Sequence, residues 1–110
     1  MSRTAEDLKA AVRLLEKYGW IQGRLGGAKT GFCSIGAINA ATSRNYFAAD
    51  DKRFDPVQFV YRHRAACRAL IEAAEIPFGQ VADWNDDPER TKDEVLEAFR
   101  RAIEAEEAGS

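Results

Sequence analysis

GFCSIGAINAAT, residues 31–42, is the stretch on which the fold turns. Gly36, Ala37, Ala40 and Ala41 fall within one short run, so a helix from about Cys33 or Ser34 to Thr42 has narrow, smooth faces. A glycine inside a helix costs about 1 kcal/mol against alanine. Gly36 therefore signals a steric requirement, with another part of the chain passing too close for a side chain. Small faces let neighbouring helices approach, and this is expected to be the central helix of the packing.

On the N-terminal side, residues 20–31 read WIQGRLGGAKTG. Four glycines in twelve residues make this a loop, with at most a short extended piece at Trp20–Gln22. It is not a phosphate loop, because no Gly-Lys-Ser/Thr stands at the required spacing and no strong strand precedes it. Before it, Leu8, Ala11, Val12, Leu15 and Tyr18 recur at helical spacing. They predict a first helix from about Thr4, the expected N-cap, to Tyr18, with Glu6 and Asp7 in the first turn and Gly19 as a left-handed stop.

On the C-terminal side, a polar loop carries aromatic anchors at Tyr46, Phe47 and Phe54. Asp55-Pro56 then reads as N-cap and first helical position. The third helix runs to about Glu75 with an apolar stripe of Phe59/Val60, Cys67, Leu70/Ile71 and Ala74, and with His63 on the same stripe. A second loop follows, anchored by Ile76, Phe78, Val81 and Trp84. Thr91 with Glu94 three residues on is a capping box, opening a last helix with core positions Val95, Leu96, Phe99, Ala102 and Ile103. The expected fold is one all-α domain of four helices with two long structured loops, residues 19–32 and 76–90. Its ordered core spans about residues 4–104, and residues 105–110 are expected to fray.

With 110 residues, 45% of them apolar, the chain suits one domain with a core that needs no disulfides. No run approaches the roughly 18–20 apolar residues of a membrane span, and the first residues carry no apolar signal segment. A cytoplasmic protein with reduced Cys33 and Cys67 is expected. The net charge of −2 hides an asymmetry. Through Arg68 there are 12 Lys/Arg against 6 Asp/Glu; beyond it, 4 against 12. An acidic element folding back on a basic one is the preferred reading, two charged surfaces for two partners the other.

The linked motifs are Trp20-Ile21-Gln22-Gly23, Cys33-Ser34-Ile35-Gly36-Ala37-Ile38, Trp84-Asn85-Asp86 and Arg90-Thr91. In this order they resemble a family of small uncharacterised domains from actinobacteria and their phages, patterned W-x-x-G, C-x-x-G-A-[LI], W-N-D, R-T. The resemblance covers roughly residues 8–103. It implies a shared fold with linked motifs, and it carries no activity to transfer.

Four functional readings compete. Protein recognition is preferred, since a small helical domain with aromatic loops and arginines offers the residue types that dominate binding energies. In a phage-linked family the partner is expected to be a host protein, bound by an inhibitor or anti-defence factor. A polar-ligand pocket is the second reading, if the two tryptophan loops meet and bring together Trp20, Gln22, Trp84, Asn85, Asp86 and Arg90. Against it, turn chemistry accounts for the WNDDPERT stretch without a ligand. A Cys-His enzyme is the third: Cys33 opens a helix, where amides favour a thiolate, His63 is the only histidine and Asn85 can orient it. The plainer reading is that Cys33 is a small buried residue. Nucleic-acid binding by Arg53, Arg62, Arg64 and Arg68 is the fourth, opposed by the acidic C-terminal half and a pI near 5.4. His63 and Cys67 stand four apart, as metal ligands do, but no Cys-x-x-Cys accompanies them. No metal site, no other cofactor and no membrane partner are expected.

Overall fold

The computed structural model describes residues 2–43, 55–77 and 80–109. Among these the chain is mostly helical. Its elements are α1 (Arg3–Tyr18), β1 (Gly26–Gly27), β2 (Gly31–Phe32), α2 (Ser34–Thr42), α3 (Pro56–Ala74), α4 (Val81–Asn85) and α5 (Lys92–Ala108). Four helices fall where the sequence places them. The fifth, α4, is a single short turn of helix inside the second expected loop. A two-stranded antiparallel hairpin closes within the first loop, pairing Gly26 with Phe32 and Gly27 with Gly31.

Local signals set most helix ends. Gly19 ends α1 with φ of 99°, a conformation that a residue with a Cβ adopts only under strain. α1 begins earlier than expected: the Ser2 side chain, not Thr4, accepts the Ala5 N–H at 3.0 Å. Asp55 caps α3 by accepting the N–H groups of Val57 and Gln58, with Pro56 in the first turn. Both halves of the Thr91/Glu94 capping box form at the start of α5. That helix continues to Ala108, past the end expected at 104, and Lys9 on α1 reaches Glu107 at 2.7 Å.

The core lies where α1, α2, α3 and α5 converge. Leu8, Leu14, Leu15, Ile38, Leu70, Val95 and Phe99 are fully buried, each worth about 1.5–3 kcal/mol against exposure. α1 packs on both α2 and α5, and α3 on α5. The small face of α2 has the function inferred for it. A Cβ on Gly36 would overlap the Leu25 carbonyl, so the hairpin loop can lie directly on the helix only because position 36 is glycine. Cys33 donates its amide N–H to that same carbonyl at 3.2 Å.

The stripe on α3 needs correction. Its buried residues are Ala66, Ala69 and Leu70, while Val60 is 47% exposed and its neighbour Tyr61 66% exposed. Leu70 is buried as expected and Cys67, Ile71 and Ala74 pack against the core, so the correction is confined to Val60, which faces outward, and to Ala66 and Ala69, which join the buried face. Arg62 turns inward too, making a two-pronged pair with buried Asp7 at 2.7 and 3.0 Å. Both cysteines are free thiols. The expected anchors Tyr46, Phe47, Phe54 and Phe78, and the basic-surface candidate Arg53, lie outside the described residues.

Candidate functional site

The densest polar cluster centres on Asn85, the last residue of α4, which has no exposed surface. Its Oδ1 accepts three hydrogen bonds: from the Trp20 indole N–H at 2.6 Å, from the Ser34 amide at 2.9 Å and from the Ser34 hydroxyl at 2.6 Å. Its Nδ2 donates to the Ile21 carbonyl at 3.1 Å and to Asp86 Oδ1 at 3.0 Å. All three donors meet the oxygen and both acceptors meet the nitrogen, so the partners fix the amide's orientation. One side chain thereby ties the Trp20 loop, the start of α2 and the Asp86 turn together.

Neighbouring residues close the same joint. Gln22 Nε2 donates to the carbonyls of Asn85 and Asp87, at 3.0 and 2.7 Å. Asp86 Oδ1 also accepts the Gly23 amide at 2.9 Å. The first helical amide of α2 goes to Asn85, and the Cys33 sulfur accepts the Gly36 amide at 3.3 Å. These helix-start donors, which in other proteins bind anions, are engaged by neutral groups of the chain itself.

Trp84 points elsewhere. Its ring lies under the Arg90 guanidinium, 4.4 Å from ring centroid to Cζ, and Arg90 Nε donates to the Trp84 carbonyl at 3.0 Å. The adjoining hollow of about 380 Å³ is lined by Ala74, Trp84, Arg90, Asp93, Glu94, Glu97, Ala98 and Arg101. Trp20, Gln22, Asn85 and Asp86 do not line it. The six ligand candidates thus divide into an internal joint and a stacked pair that lines a hollow of its own.

The Cys-His arrangement does not assemble. Among the described residues, no hydrogen bond joins Cys33 to His63. The imidazole instead lies 3.8 Å from Cys67 Sγ and 5.7 Å from the Phe59 ring centroid. Burial pushes the Cys33 thiol up, aided by the Asp86 carboxylate, and outweighs the backbone amides that pull it down. The lowering expected from the helix start is therefore reversed. Burial also pushes Cys67 up to about 11 and lowers His63. Asn85, engaged on both its polar atoms, orients Trp20 and Ser34 rather than an imidazole. Among the described residues, no group of three or more His, Cys, Asp or Glu could hold a metal ion, and no helix is long and apolar enough to cross a membrane.

The basic candidates separate as well. Arg62 is only 13% exposed and is committed to Asp7. Arg64 and Arg68 are exposed and line a groove of about 360 Å³ between α3 and α5, with Tyr61, Ala65, Ala69, Glu72 and Glu106. Tyr61 lies beside these arginines, as the basic-surface reading has it, but sequence reasoning missed Val57 and Val60 as surface residues. The signal against Val60 in the core stripe is the alanine set at 66, 69 and 73, which offers a second face for burial.

No curated protein and no solved structure matches the chain. A family of unknown function, DUF6197, matches residues 1–105 and takes in every motif described above; the chain belongs to that family.

Proposed function

We propose that the chain is a small protein-binding domain acting in the cytoplasm, and that the outer face of α3 is its binding surface. The observation that carries this reading is the concentration of uncommitted groups there. Val57, Val60 and Tyr61 are 59%, 47% and 66% exposed, and Arg64 and Arg68 continue the same side of the helix. Spacings of three, four and seven residues put these side chains along one stripe. Large apolar groups flanked by arginines are the residue types that anchor protein interfaces. A host protein held by a phage-encoded inhibitor, the setting suggested by the motif resemblance, is the form of partner favoured here.

The test is photo-cross-linking in cells with a benzophenone amino acid placed at Tyr61 or, as control, at exposed Lys29 in the hairpin loop. A discrete protein adduct is expected from position 61 alone. Excess unmodified chain should suppress it, whereas an excess of the Val57→Ser/Val60→Ser double variant should not. Equal labelling from both positions, or none from position 61, would overturn the reading.

A further inference from the structure

The groove beside this face has a polarity that specifies its occupant. Arg64 and Arg68 stand four residues apart, about 6 Å along the helix axis at a rise of about 1.5 Å per residue. Among the described residues neither makes an ion pair, although the chain carries a net charge of −2 and most of its charges beyond Arg68 are acidic. Arg62, on the same helix, shows the alternative: it is turned inward and held by Asp7. Beside the two arginines, Ala65 and Ala69 form the low part of the groove; along α3 Tyr61 stands towards one end and Glu72 towards the other, and Glu106 of α5 lines the facing wall.

We infer that this groove takes an acidic amphipathic helix of another protein. Two carboxylates one helical turn apart lie over Arg64 and Arg68, and an apolar side chain seats on Ala65 and Ala69 beside Tyr61. The inference rests on the outer face of α3 being the binding surface, and adds the chemistry of what binds. Small residues four apart let a large side chain sink between flanking ridges, the usual mode of a helix in a groove. A guanidinium binds a carboxylate through two parallel N–H donors, so a pair of arginines one turn apart reads a matching pair of acids. Glu72, one turn beyond Arg68, repels acid at that end and fixes which way the partner lies. A phosphodiester strand would also meet the arginines, but it would run on into the Glu72 carboxylate and into a chain of net negative charge.

The experiment uses three fluorescent probes on the full chain: two synthetic helices with identical apolar positions, one with glutamates and one with lysines four apart, and a single-stranded oligonucleotide. The acidic helix is expected to bind at least about tenfold tighter than the basic one and to weaken as salt rises. Arg64→Glu/Arg68→Glu should reverse that preference while leaving circular dichroism and thermal unfolding unchanged. Arg24→Glu, at an exposed loop position away from the groove, should keep it. Equal affinity for the two helices, binding of neither, a preference unaffected by the double variant, or tighter binding of the oligonucleotide would overturn the inference. A cross-link from position 61 to a basic or neutral segment would also overturn it while leaving the protein-binding reading intact.

Discussion

The Asn85 joint and the outer face of α3 are opposites. The joint contains most of the motif residues: Trp20, Gln22, Gly23, Ser34, Asn85 and Asp86 bond to one another there, and Cys33 beside them is engaged with Gly36 and Leu25. The face contains no motif, yet it presents exposed valines, a tyrosine and two arginines without an ion pair among the described residues. A conspicuous pattern of rare residues can mark the place where a fold is fastened rather than the place where it acts. Buried polar groups demand partners, and each demand restricts which residue can stand there. An exposed surface makes no such demand on its neighbours.

Replacing Asn85 should break the comparison most severely. Asn85→Ala leaves the Trp20 indole, both Ser34 donors and the Ile21 carbonyl without their partner at a buried or half-buried position. Each buried orphan costs about 1–3 kcal/mol, so a loss of about 3 kcal/mol or more is expected in urea unfolding. A variant with the stability of the parent would show that the joint is not structural. Asp7→Ala comes next. It strands Arg62, which is still slightly exposed, and should cost about 2 kcal/mol, below the range for a fully buried pair.

The cysteines give a smaller effect with a definite sign. In the unfolded chain a thiol ionises near its ordinary value of 9.0, whereas burial holds the Cys67 proton up to about 11. The unfolded state therefore loses its proton first as pH rises. The contribution of Cys67 is fully present below pH 9 and declines between about 9 and 11, by on the order of 1 kcal/mol. Cys67→Ala should flatten that part of the stability–pH curve relative to the parent; an unchanged slope would contradict the burial. Smallest of all, Tyr61→Ser with Arg64→Glu should change stability by less than about 0.5 kcal/mol. A larger loss would mean that the face belongs to the core and is not free for a partner.

Most of the helical frame was legible in the sequence because it is encoded locally. Gly19, Asp55-Pro56 and Thr91 with Glu94 each terminate or begin a helix using only near neighbours. The steric role of Gly36 was legible too, though not that the Leu25 carbonyl is what approaches it. The hairpin and α4 were not readable. Two-residue strands and a five-residue helix are too short for periodicity, and they persist here through bonds to distant segments. Asn85 illustrates the limit. Its turn-forming chemistry suggested bonds to its own backbone, but its oxygen acts on Ser34 and Trp20, 51 and 65 residues away in the chain. No local pattern specifies such a pairing. Arg62 and Arg64 make the same point, since charge alone did not reveal that one is drawn inward by Asp7 while the other stays on the surface.

The two tryptophans allow the fastened joint to be tested within a single spectrum. Trp20 donates its indole N–H to buried Asn85, whereas the indole N–H of Trp84 has no hydrogen-bond partner among the described residues. In deuterium exchange followed by NMR, the Trp20 indole proton should persist and exchange only at the rate of global unfolding, while that of Trp84 exchanges first. If the Trp20 indole exchanged as quickly as that of Trp84, the joint would be open to solvent and its motif residues would be available to a ligand after all.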